Sequence, residues 1–164
     1  MSFHSTHLDG AIADRTFVVS FYGWTHLDRF LTAWRKTGFG IVGHLVFPKR
    51  YTSSTRMLRC QHECAYVLAK GERKQPDYVI GDVIDWSYRR KRLHPTQKPV
   101  TVLLPLVEAF SERGSLVLDP FAGSGSSLAA AVMLGRDYLG IELDAGYHAI
   151  ACRRLASEEV RAMA

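Results

Sequence analysis

The chain has 164 residues, 47% of them apolar and 23% charged, which suits one globular domain with a sizeable core and excludes a disordered chain. No apolar run reaches the roughly 20 residues that a membrane-spanning helix needs, and Met1 to His7 lack the basic stretch and apolar core of a signal peptide. The 21 Lys and Arg against 16 acids give +5, which permits a polyanionic partner without demanding one; three cysteines, an odd count, argue for reduced thiols and a cytoplasmic location.

The first strand is expected at Thr16–Tyr22, β-branched and aromatic and stopped by Gly23. Thr25 and Asp28 form a capping-box pattern. Behind it Leu27, Phe30, Leu31 and Trp34 make one apolar helix face, ended by Gly38. Residues 39–48 read as a second strand. A basic loop runs roughly from Lys49 to Arg59, and His62 to Lys70 reads as a strand pairing back on the second. Beyond it lies mostly loop, with a short Tyr78–Ile80 strand and the basic run Arg89, Arg90, Lys91, Arg92.

From there the rhythm changes. Thr96 can cap a helix with an apolar stripe of Leu103, Leu106, Val107 and Phe110. A continuously apolar strand, Ser115–Leu118, leads into a glycine-rich turn, a helix over 126–134, a strand Tyr138–Ile141 and a last helix marked by Tyr147, Ile150, Ala151 and Leu155. Strand, glycine turn, helix, strand is a parallel βαβ unit of the nucleotide-binding kind.

The turn itself is Asp119-Pro-Phe-Ala-Gly123-Ser-Gly125-Ser-Ser. Glycines there let a ligand lie against the main chain, and Glu142 ends the next strand, where an acid can bind ribose hydroxyls. A dinucleotide would want a third glycine for close packing, and that place is Leu128. Asp119 would repel a pyrophosphate but attract the sulfonium and ammonium of S-adenosylmethionine. The competing reading is a tight turn whose glycines serve packing alone.

The segment Asp119–Leu155 (DPFAGSGSSLAAAVMLGRDYLGIELDAGYHAIACRRL), preceded by His94-Pro-Thr-Gln-Lys-Pro99, resembles the cofactor end of DNA amino-methyltransferases of the permuted class, which methylate the exocyclic amino group of adenine or cytosine. The likeness extends over Ser20–Trp24 and from Gly43 onward, roughly residues 15–155, and is greatest to short plasmid- and phage-type members. It implies an α/β fold, the Rossmann-like three-layer sandwich of S-adenosylmethionine-dependent methyltransferases. Its mixed sheet would be mainly parallel, with an antiparallel part near residues 39–70. It also implies a single domain with a DNA-side half (1–93) and a cofactor half (94–164). By this resemblance Asp119, Phe121, Gly123 and Gly125 cradle the methionine part of S-adenosylmethionine, Glu142 binds its ribose, and Thr96 and Lys98 close over the methionine end.

One family element is missing from the sequence. The chemistry of such enzymes uses an acid-or-amide–Pro-Pro–aromatic tetrapeptide that holds and stacks on a flipped base. None of the six prolines (Pro48, Pro76, Pro95, Pro99, Pro105, Pro120) adjoins another. In the family fold that tetrapeptide ends a central strand, between the Leu116–Leu118 and Thr16–Tyr22 strands, so the sheet centre is expected to be incomplete. No catalytic residue is therefore assigned.

Lys49, Arg50, Arg56 and Arg59, with Arg89–Arg92, are candidate phosphate contacts for double-stranded DNA, weighed against a plain solvated basic loop. Cys60-x-His62-x-Cys64 is too tightly spaced for a usual zinc site, and no metal is expected. The function that follows is site-specific DNA methyl transfer in a restriction–modification setting, with the 164-residue chain inactive alone. It could be dimeric or completed by a second chain. The alternative is a catalytically dead DNA- or cofactor-binding regulator of a plasmid or phage.

Overall fold

The structure, a computed structural model, describes residues 16–55, 57–71, 75–76, 78–87 and 97–157. It divides into two compact units, Met1–Pro76 with Gly81–Asp85 and Asp77–Ile80 with Trp86–Ala164.

In the first unit β1 (Phe17–Tyr22) leads through a single 3-10 turn into α1 (Leu27–Lys36), then β2 (Phe39–Pro48), the short β3 (Ser54–Thr55) and β4 (Arg59–Cys60), and β5 (His62–Lys70). The sheet order is β1-β5-β2, with both pairings antiparallel. Strand alternation sorts the side chains. Phe21 and Leu45 both pair with Ala65, and Val19 pairs with Val67. Leu45, Phe47, Ala65 and Val67 are buried, and Phe21 stacks on Phe47 at 5.2 Å between ring centroids. The opposite face carries Tyr22, His44, Cys64 and Tyr66. The amphipathic α1 meets the start of β2 where Trp34 packs edge-on to Phe39, 5.2 Å between centroids.

The second unit holds α2 (Val100–Phe110), β6 (Leu116–Asp119), α3 (Ser126–Met133), β7 (Asp137–Gly140) and α4 (Ala145–Leu155). β6 and β7 pair in parallel from Leu116↔Asp137 to Asp119↔Gly140, so β6–α3–β7 is the expected βαβ unit. The core of this unit is built on α3, whose Leu128, Ala129, Ala130 and Ala131 are buried, together with Val102, Leu103 and Leu106 of α2.

Three expectations are corrected. The described strand pairings are three antiparallel and one parallel, not mainly parallel, because β5 runs antiparallel between β1 and β2. Thr25 lies within the 3-10 turn, and the residue capping α1 is His26, with no side-chain cap bond; the capping box is not made. Tyr78–Ile80 forms no strand; instead Val83 bridges to Val46, with Val46 N–H donating to Asp82 O at 2.8 Å. Among the described residues β6–β7 and β1-β5-β2 are separate sheets.

Candidate functional site

The glycine turn follows β6 and is tied to β7 by main-chain bonds. Ile141 N–H donates to Asp119 O, and Ala122 N–H to Ile141 O, both at 2.9 Å. Gly125 stands at the N-cap of α3 with φ +72, in the left-handed region that favours glycine. A Cβ placed there would also lie 3.1 Å from Ala151 Cβ.

Two carboxylates are fixed against this turn. Asp119 Oδ1 accepts from Phe121 N–H at 2.9 Å, while Oδ2 accepts from the Ser127 hydroxyl. Glu142 Oε2 accepts from Gly123 N–H at 2.7 Å, and Oε1 from Asp144 N–H at 2.9 Å. Each carboxylate oxygen thus accepts from a donor in or beside the turn, and a carboxylate oxygen can accept more than one hydrogen bond. The Gly123 N–H is already given to an acid. A phosphate over this turn would face two carboxylates and find that donor taken, whereas a cationic or hydroxyl-bearing ligand is favoured. Phe121, 71% exposed, gives the turn an apolar shoulder.

Close packing behind the turn is achieved differently from the three-glycine pattern. Leu128 fills the third place, and the glycine stands opposite it on β7: a Cβ on Gly140 would lie 2.4 Å from Leu128 Cδ1 and 3.1 Å from Ala122 Cβ. The sequence reading gave no role to Gly140 and Arg154, which act from outside the turn, or to Ser127, the last residue of the turn. Arg154 Nη1 donates to Ser124 O at 3.1 Å and Ser126 Oγ at 3.0 Å, and burial pushes its pKa down.

Lys98, expected at the methionine end of the cofactor, has its ammonium 5.6 Å from the Trp86 ring centroid, a cation–π distance. Thr96 lies outside the described residues, as do Arg56 and Arg89–Arg92. Of the remaining basic residues, Lys49 departs from its expected role. Its side chain is only 3% accessible and forms an ion pair with Glu63, with Ser53 Oγ at 3.3 Å, so the ammonium faces protein rather than a phosphate. Arg50 is exposed, 3.7 Å from Asp85, and Arg59 is exposed on β4. Among the described residues no three His, Cys, Asp or Glu side chains gather as a metal site would need.

The DNA methylase family model matches residues 12–153, and the chain belongs to that family. It is 53% identical over 146 residues to Escherichia coli K12 YubD, provisionally named a methylase, across 89% of this chain and 64% of YubD. It is 42% identical over 84 residues to the DNA adenine methyltransferase YhdJ of the same strain, across 47% of this chain and 28% of YhdJ. The chain therefore spans less than two thirds of the length of these relatives. In fold it is similar to M1.HpyAVI, solved as a complex with SAM, with TM-score 0.77 and 22% identity over 89% of this chain and 77% of that one. The fold is the α/β fold of that methyltransferase group.

Proposed function

We propose that the chain binds S-adenosylmethionine at the Asp119–Glu142 turn and serves methyl transfer to an exocyclic amino group of adenine or cytosine in double-stranded DNA. The observation that carries this reading is the pair of carboxylates fixed at the turn, with the Gly123 N–H given to Glu142. That arrangement repels phosphate and suits a ligand with a sulfonium, an ammonium and ribose hydroxyls. Asp119 orients toward the cationic methionine part, Glu142 receives the ribose, and Phe121, Gly123 and Gly125 form the floor, with Thr96 and Lys98 closing the methionine end. Held there, S-adenosylmethionine would supply an electrophilic methyl on its sulfonium sulfur for transfer to the amino nitrogen. Arg50, Arg56, Arg59 and Arg89–Arg92 are assigned to the DNA side, and Lys49 to support of that loop through Glu63. A cytoplasmic location suits both DNA and cofactor.

The test is calorimetric titration of the 164-residue chain with S-adenosylmethionine, with NAD as the phosphate-bearing control. Saturable binding of the first and none of the second is expected; the reverse order overturns the reading. The second reading, a catalytically dead cofactor- or DNA-binding regulator, predicts binding without methyl transfer.

A further inference from the structure

We propose that Arg154 is a positioning residue for the cofactor: from the last turn of α4 it fixes Ser124–Ser126 and, through them, the aim of Asp119. The inference rests on the cofactor reading above. Ala151 and Arg154 lie three residues apart, on one face of α4, and both meet the glycine turn. Ala151 closes against Gly125, and Arg154 bonds to a carbonyl and a hydroxyl of the turn. Ser124 and Ser126 are themselves buried, 3% and 7% exposed, so these polar atoms have little recourse to water and losing their donor is costly.

A guanidinium is an expensive way to fill space. Burying charge is unfavourable, and an aliphatic side chain would pack without that cost. What arginine adds is a planar, permanently charged group whose Nη1 donates to both acceptors in a set geometry. Those acceptors sit next to the group that matters, because Ser126 and Ser127 open α3 as neighbours. Ser126 takes the bond from Arg154 and Ser127 gives its own to Asp119. The other end of α4 is tied as well: Asp144 caps it by accepting from Tyr147 N–H at 2.9 Å, and Asp144 N–H holds Glu142. The helix is thus a strut between the two acids. Its Asp144 end steadies the ribose acid, and its Arg154 end steadies the methionine acid.

This division of labour gives a readout that general loss of structure would not. The full 164-residue chain and its Arg154→Gln, Arg154→Lys and Ser126→Ala variants are titrated with S-adenosylmethionine and with 5′-methylthioadenosine, which keeps the nucleoside and lacks the amino acid. Arg154→Gln is expected to weaken S-adenosylmethionine about tenfold, the scale of one charge-assisted hydrogen bond, and the nucleoside thioether less than about threefold. Arg154→Lys should recover part of the loss. Ser126→Ala leaves Arg154 in place and should show the same preference in smaller measure, which keeps the test open if Arg154→Gln does not fold. Unchanged affinity for S-adenosylmethionine in Arg154→Gln and Ser126→Ala, or an equal loss for both ligands, overturns the inference alone. Failure of the unsubstituted chain to bind S-adenosylmethionine overturns the cofactor reading and this inference with it.

Discussion

Asp119 and Glu142 are held by the turn they flank, so removing one carboxylate removes a ligand contact and loosens the turn as well. Asp119→Ala should weaken S-adenosylmethionine about tenfold or more by calorimetry, since a hydrogen bond to a charged group contributes about 1.5–3 kcal/mol. Asp144→Ala separates the two roles. Its side chain caps α4, while the bond to Glu142 comes from its main-chain N–H. That substitution should lower unfolding stability by about 1 kcal/mol and change affinity far less. Both acids and both turn glycines were legible in the sequence, because strand–turn–helix context gives such residues their meaning. Gly140 was not: its role depends on a leucine twelve residues earlier, a pairing that appears only once β7 lies against α3. Gly140→Ala should cost about 1–3 kcal/mol in urea unfolding through overpacking, and the double variant with Leu128→Ala should lose less than the sum of the two single losses.

At the scale of elements, apolar periodicity located every long helix and strand that is described, and local polar signals did worse. Thr25 and Asp28 have the spacing of a capping box, yet a 3-10 turn occupies that position and α1 begins one residue after His26. Tyr78–Ile80 has strand composition but no ladder partner. Instead, the main-chain bonds of that region form at Asp82 and Ile84, with Val46. Lys49 counted as a free cation in the sequence because its partner, Glu63, is on another strand. Glu63→Gln would take one counter-charge from a buried ammonium, and urea unfolding should show a loss of about 2 kcal/mol, below the range for fully buried pairs because Glu63 is partly accessible. The polar face of the β1-β5-β2 sheet adds a pH dependence. Burial chiefly, with hydrogen bonding to Tyr66, raises the Tyr22 phenol, which bonds to His44 Nε2 at 2.8 Å; burial also raises the Cys64 thiol. A raised acid holds its proton longer in the folded chain, so its stabilisation is complete below the ordinary value and is lost as pH rises through the shifted one. Thermal stability should therefore fall above about pH 9, the ordinary thiol value, and Cys64→Ala with Tyr22→Phe should flatten that alkaline limb.

For the whole molecule, the DNA reading predicts a binding constant that falls with salt at about −0.9 log units per log unit for each phosphate contact. Replacing Arg89–Arg92 by serine should reduce that slope, measured by fluorescence anisotropy with duplex DNA, whereas an unchanged slope would leave the run as solvated charge. In a filter-binding assay with tritiated S-adenosylmethionine, the 164-residue chain is expected to leave duplex DNA unlabelled, because its sequence has no acid-or-amide–Pro-Pro–aromatic tetrapeptide to hold the target nitrogen in line with the methyl group. The placing of β5 between β1 and β2 also bears on how the chain is made. As β1 emerges from the ribosome, its partner β5 has not been synthesised; about 40 residues separate Tyr22 from His62. At 5–20 residues per second that is roughly two to eight seconds during which Phe-Val-Val-Ser-Phe-Tyr, apolar and uncharged, waits for β5. The nascent chain is therefore adhesive between the synthesis of β1 and that of β5, an interval in which chaperones that shield apolar segments would matter, and β5 ends it by pairing with β1 and β2 at once.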